Sequence, residues 1–201
     1  MKKLFLPLLA LLLCNFNIAD TQLTDQERKF ATDYLAQSKE KFMNAIKGLS
    51  KEQLNFKSSP ESWSVAECAE HIAISENNIF GAVDGALKNA PDASKRSEIK
   101  MNDDDLLKMI TNRTNKVKTS EAFVPSGKFG DIDGITKEFT TKRDAHMAFV
   151  KDTKDDLRNR VVTFPFASMD SYQVIIFMSG HTLRHTAQIE EVKANPNFPK
   201  K

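Results

Sequence analysis

The chain has 201 residues, with 29 Lys and Arg against 27 Asp and Glu for a formal net charge of +2, and 40% apolar and 28% charged residues. That balance excludes a disordered or polytopic membrane chain and lacks the basic excess of a nucleic-acid binder. Seven Gly and seven Pro are too few for the many turns of an all-β fold, and two Cys can build neither a disulfide scaffold nor a zinc finger.

Met1-Lys2-Lys3 is a positive n-region, and Leu4 to Leu13 is apolar apart from Pro7. This run falls short of the ~20 residues that span a bilayer and fits a secretory signal. With cleavage after Ala19, residues 1–19 leave and residues 20–201 remain as one domain of 182 residues, formally neutral because Lys2 and Lys3 depart with the signal. The expected location is periplasmic or secreted, with no integral membrane span in the mature chain. Lipid anchoring through Cys14 is the less favoured alternative, since Leu13 stands where a lipoprotein signal wants a small residue.

Thr24-x-x-Glu27 is a capping box opening a helix over about Asp25 to Lys47, with Phe30, Tyr34, Leu35, Phe42, Met43 and Ile46 near helical spacing and Gly48 as its terminator. Asn55 to Trp63 reads as loop. Ser64-x-x-Glu67 opens a second helix, striped by Val65, Cys68, Ile72, Ile79, Val83 and Leu87 and stopped by Pro91. Asp103-Asp104-Asp105 suits the positive end of a shorter helix carrying Leu106, Met109, Ile110 and Val117. Ser120 to Gly134 is a connection. Another helix is expected over about Thr136 to Arg158, with Phe139, His146, Phe149, Val150 and Leu157 on one side. The last runs from about Asp170 to Lys193, striped by Val174, Phe177, Met178, His181, His185, Ile189 and Val192. Val161-Val162-Thr163-Phe164 has strand character, but a lone strand has nothing to pair with. The expected fold is all-α: an antiparallel four-helix bundle with one extra shorter helix.

The chain has four histidines. His181 and His185, at i and i+4, present their imidazoles one turn apart on the same helical face, a spacing that offers two nitrogens to one metal. His71 lies on the apolar side of the second helix. A core packing role competes with ligation for all three, although three unpaired imidazoles are costly to bury.

Three blocks resemble the DinB-like (DinB/YfiT) superfamily of bundle metalloproteins: Glu61 through Ile72, with its Trp63-Ser64-Val65 start and His71; Arg143 through Arg158; and Phe177 through Ile189, with His181-x-x-x-His185-x-x-Gln188-Ile189. The resemblance implies a four-helix core, with the Asp103 helix as an elaboration. It also implies metal ligands at His71, His181 and His185, with water or substrate in the remaining positions. Zn, Ni or Fe suits imidazole, as does Cu, so the expected cofactor is a divalent ion of open identity. Three neutral ligands with an open position form a catalytic rather than a structural pattern.

Gln188 shares the face of His181 and His185, where it either orients a ligand or contacts substrate, or makes an internal hydrogen bond. Glu67, a turn before His71, is a candidate base or outer partner, though its capping duty already accounts for it. Cys68 reads as a small buried thiol, Trp63 as packing for the start of the second helix, and His146 as a pocket-lining or boundary residue. Arg184 should face away from the metal. The expectation is an exported metal-dependent enzyme, hydrolase-like or thiol-dependent transferase-like, acting on a small molecule. The alternative is a metal-binding or structural bundle without turnover. Nucleic acid is excluded as a partner, and a homodimer through a bundle face is compatible with the sequence.

Overall fold

A computed structural model describes residues 22–114 and 117–200. The expected signal segment, its cleavage position and Cys14 lie outside the described residues. In chain order the elements are α1 (Asp25–Ile46), α2 (Lys51–Asn55), α3 (Val65–Leu87), α4 (Asp103–Thr111), α5 (Ile132–Asp152), β1 (Val161–Phe164), β2 (Ala167–Asp170) and α6 (Ser171–Lys193). Short 3-10 turns at Ala93–Glu98 and Glu121–Phe123 lie in the long connection between α3 and α5.

The four long helices form the bundle. The α6 helix lies between α1 and α3, and α5 closes the square between the same two. Side-chain contacts give the directions. Arg28, at the start of α1, donates to Val150 near the end of α5, and Lys39 pairs with Asp144, so α1 and α5 are antiparallel. Arg160, just before the hairpin that leads into α6, donates to Ala86 and Leu87 at the end of α3, and His71 near its start meets His181 and His185, so α3 and α6 are antiparallel as well. The long connection from 88 to 131 lets α3 and α5 run the same way.

The expected caps form at Thr24 and Ser64, each side chain accepting from the N3 amide while Glu27 and Glu67 reach back to the cap amide. Gly48 adopts φ 69° as α1 ends. Four differences have local causes. Ser50-x-x-Gln53 is a further capping box that opens α2, inside a stretch the apolar pattern leaves blank. The α5 helix begins at Ile132, capped by Asp131, and stops at Asp152 instead of running to Arg158. Beyond it the Thr153 hydroxyl accepts from the Asp155 amide at 3.1 Å, a local bond that competes with helix. Leu157 is fully buried, but from the following loop. Val117 lies past the end of α4 and is exposed. The Val161–Phe164 strand finds its partner in Ala167–Asp170, with Pro165-Phe166 as the turn of an antiparallel hairpin.

A polar layer divides the core. Leu35, Ile79, Val83 and Ile176 pack at one end, and Phe42, Ile72, Phe139 and Ile189 at the other. Between them the fully buried Arg143 guanidinium donates to Glu76 at 2.8 and 2.6 Å, to the Leu35 carbonyl, and to the Ser38 and Thr182 hydroxyls. Burial works against the Glu76 charge, but Arg143 and His146 outweigh it and hold the carboxyl below its ordinary range. A second cation organises the far end. Arg158 pairs with Glu27, Asp103 and Asp170 and stacks over Tyr172 at 4.0 Å, tying together the starts of α1, α4 and α6.

The α4 helix docks on the outside of α6 at Gly180, where a Cβ would sit 2.5 Å from Ile110 Cγ2. Arg184 donates to the Ile110 and Asn112 carbonyls at the end of α4, so it points away from His181 and His185 as expected. Among the described residues no helix is long and apolar enough to cross a membrane.

Candidate metal centre

The three histidines converge across the α3–α6 seam. His71 Nε2 lies 3.3 Å from His181 Nε2 and 3.2 Å from His185 Nε2. Among the described residues these three form the one group of His, Cys, Asp and Glu whose ligand atoms gather closely enough to hold an ion, all within 4.8 Å of one another. His71 and His185 are buried, and His181 is the partly exposed member.

The far side of each of two rings is fixed by an oxygen. His71 Nδ1 lies 2.7 Å from the Phe123 carbonyl, and His185 Nδ1 lies 2.9 Å from Gln188 Oε1. Each oxygen can only accept, so each Nδ1 carries the proton and each Nε2 presents a lone pair. Burial is the main cause that lowers the pKa of His71 and carries His185 down to about 3, with the neighbouring His71 contributing to the latter. His181 is pushed well below the usual histidine range by burial and then by the other two rings. All three are therefore neutral at pH 7. The 3.2 Å approach of two lone pairs leaves no proton to bridge them, a costly arrangement on its own.

A divalent ion resolves that conflict. Bonds of ~2.0–2.1 Å in tetrahedral geometry hold two ligand nitrogens ~3.3–3.4 Å apart, close to the observed 3.3 and 3.2 Å. The donor set is all imidazole, which suits zinc and its neighbours rather than magnesium or calcium. The residues present therefore fit such an ion.

The surroundings position the rings. The buried Glu70 carboxylate accepts from the Gly127 and Lys128 amides at 2.9 and 2.6 Å, pinning the connection that carries Phe123. Trp63 packs on the centre itself, with its ring 4.8 Å from His71 and 6.1 Å from His185. This differs from the expected role of packing the start of the helix alone. On the other flank Phe177, one turn before His181, lies 6.2 Å from that ring.

The remaining candidates separate cleanly. Gln188 touches the site, as the partner of His185. Glu67 is occupied elsewhere, with one oxygen on the Ser64 amide and the other on Lys57. Cys68 is buried, and its thiol is pushed up to about 12 chiefly by desolvation, which disfavours the thiolate. His146 lies outside the trio, stacked on Phe80 at 3.8 Å with Nδ1 2.7 Å from Glu76. Sequence reasoning missed Phe123, Glu70 and the Glu76–Arg143 pair. A carbonyl acceptor has no sequence signature, whereas charged residues at core spacing, such as Glu76 between Ile72 and Ile79, were available as a signal.

Comparison with known proteins agrees with this architecture. The family model described as the DinB superfamily matches residues 34–189. The uncharacterised protein YuaE of Bacillus subtilis (strain 168) is 29% identical over 151 residues, covering 75% of this chain and 89% of that protein. Among solved structures, YfiT from Bacillus subtilis superposes with a TM-score of 0.56 at 13% identity, over 88% of this chain and 91% of its own. It is described as a probable metal-dependent hydrolase with an unusual four-helix bundle topology. With its matched span covering most of the sequence and its four-helix bundle in place, this chain belongs to the DinB superfamily.

Proposed function

We propose that the protein is an exported metal-dependent enzyme, hydrolase-like in its chemistry, that acts on a small molecule at a centre formed by His71, His181 and His185. The observation that carries this reading is the pair of lone-pair-bearing Nε2 atoms of His71 and His185 at 3.2 Å, each ring fixed by an oxygen on its far side. The description of YfiT as a probable metal-dependent hydrolase points the same way. A divalent ion held there supplies Lewis acidity toward water or a carbonyl.

The chain's own groups have distinct tasks. The three imidazoles give neutral donors, so they leave the cation's charge uncompensated. The Phe123 carbonyl and Gln188 hold two rings in the tautomer and orientation that ligation needs. Trp63 covers the His71 and His185 side and keeps water from it, while the partly exposed His181 leaves a route in. Among the described residues no carboxylate joins the cluster, so His71, His181 and His185 are the residues on which the chemistry rests. Export rests on the n-region and apolar run of residues 1–19.

Metal analysis of the purified mature chain, with ester, amide and lactone hydrolysis assays before and after chelation, tests the reading. One ion per chain and hydrolysis that is lost with the metal and restored by it are expected. Absence of bound metal after incubation with zinc, nickel or iron would overturn it. Mass spectrometry of the exported protein's N-terminus checks the cleavage after Ala19.

A further inference from the structure

A row of aromatic rings starts at His181, the partly exposed member of the trio. From His181 the row runs to Phe177 at 6.2 Å, from Phe177 to Phe166 at 5.6 Å with planes 28° apart, and from Phe166 to Phe164 at 5.6 Å and 25°. Phe177 belongs to α6 and is buried, whereas Phe164 ends β1 and Phe166 lies in the turn of the β1–β2 hairpin, which packs back along α3 and α6. The rings thus come from separate stretches of chain and line up only in the fold.

Two features give this row a purpose beyond packing. Phe166 sits at the turn with 58% of its surface exposed, where turn geometry asks for a small or polar residue and a phenyl ring gains little by burial. The stretches that carry the rings are also free of charge, apart from Asp170 between them, which is paired with Arg158. In a chain that is 28% charged, Val161 to Met169 and Ser171 to Gly180 contain no Asp, Glu, Lys or Arg. An uncharged, ring-faced wall next to a cationic centre matches a molecule with two unlike ends.

We propose that Phe166 and Phe164, backed by the buried Phe177, form the subsite for an aromatic or similarly flat apolar group of the substrate, whose polar reacting end reaches the three imidazoles. The proposal rests on the reading of the trio as a metal centre with an open position, and it adds the substrate class. Phe166, with more than half its surface open, offers an offset or edge-on contact to a planar group, a contact that adds to simple area burial. A substrate with a charged or strongly hydrated tail finds no partner there.

Calorimetric titration of the zinc-loaded protein with acetohydroxamate and phenylacetohydroxamate tests this. Both carry the same metal-seeking head, and only the second carries a ring. The phenyl compound should bind about tenfold more tightly to the wild type, the scale of one well-placed aromatic contact. Phe166→Ala should remove most of that advantage, with zinc content, helical circular dichroism and acetohydroxamate affinity unchanged, and Phe166→Tyr should keep it. Equal affinities in the wild type, or an advantage that survives Phe166→Ala, would overturn the subsite and leave the metal centre standing. Failure of both hydroxamates to bind a protein that holds zinc would remove the open coordination position, and the subsite with it.

Discussion

Replacing Gln188 by Leu isolates the part of the centre that is not a ligand. The Gln188 oxygen accepts from His185 Nδ1 at 2.9 Å at the rim of the site, and a neutral hydrogen bond of this kind contributes about 1 kcal/mol net. Without it the His185 ring also loses the partner that fixes its tautomer and its rotation, so a further cost falls on metal binding. Outer partners of ligating histidines change affinity by about 10–100-fold. At a free zinc concentration ~1,000 times the wild-type Kd, zinc stabilises the wild type by about 4 kcal/mol and a tenfold weaker variant by about 2.7 kcal/mol. Chelator competition should therefore show at least a tenfold weaker Kd for Gln188→Leu. Urea unfolding should show the metal-free variant weaker by about 1 kcal/mol, with the gap wider by about 1.4 kcal/mol once zinc is present. Unchanged zinc affinity would refute the role of Gln188 as the group that orients His185.

Other consequences follow from the buried groups. Arg143→Met strands the Glu76 carboxylate in the core and should cost about 3–5 kcal/mol by urea unfolding, whereas adding Glu76→Gln should recover at least half of that loss. Gly180→Ala pushes a methyl to 2.5 Å from Ile110 Cγ2, so α4 must shift, at a cost of about 1–3 kcal/mol, with faster hydrogen exchange across Asp103–Thr111. For pH, His71, His181 and His185 are all shifted downward in the fold, His185 to about 3. The unfolded chain therefore takes up protons first, near pH 6.5, and the metal-free fold should lose stability as pH falls from there toward about 3, with no matching change above pH 7.5. A metal-free protein whose urea midpoint holds steady between pH 7 and pH 4.5 would contradict the buried neutral trio.

Much of the fold was legible because it rests on short-range signals. Thr24-x-x-Glu27 and Ser64-x-x-Glu67 fix two helix starts by hydrogen bonds across three residues, and both form as read. The same rule applied at Ser50-x-x-Gln53 would have found α2, which was missed because its few residues carry no apolar stripe. The end of α5 was misplaced because Leu157 continues the helical spacing from a loop, and only the Thr153–Asp155 turn reveals the break. The hairpin needed a long view as well, since β1 declares itself by composition while β2, Ala167–Asp170, does not.

The centre divides in the same way. The i, i+4 spacing brings His181 and His185 together, and the likeness of three blocks to the DinB-like superfamily adds His71. The Phe123 carbonyl, the Glu70 anchor and the Phe164–Phe166–Phe177 row depend on loops and a hairpin laid over the bundle, whose positions no local pattern encodes. Trp63 was seen but placed one step too far from the rings, because its contact with His71 and His185 crosses from the loop before α3 to α6.

X-ray absorption at the metal edge of the zinc-loaded protein probes the central claim most directly. Expected are a first shell of three imidazole nitrogens and one exchangeable oxygen ligand at ~2.0–2.1 Å, with no sulfur, and loss of one imidazole in His71→Ala. A first shell with fewer than three imidazoles, or one left unchanged in His71→Ala, would contradict it.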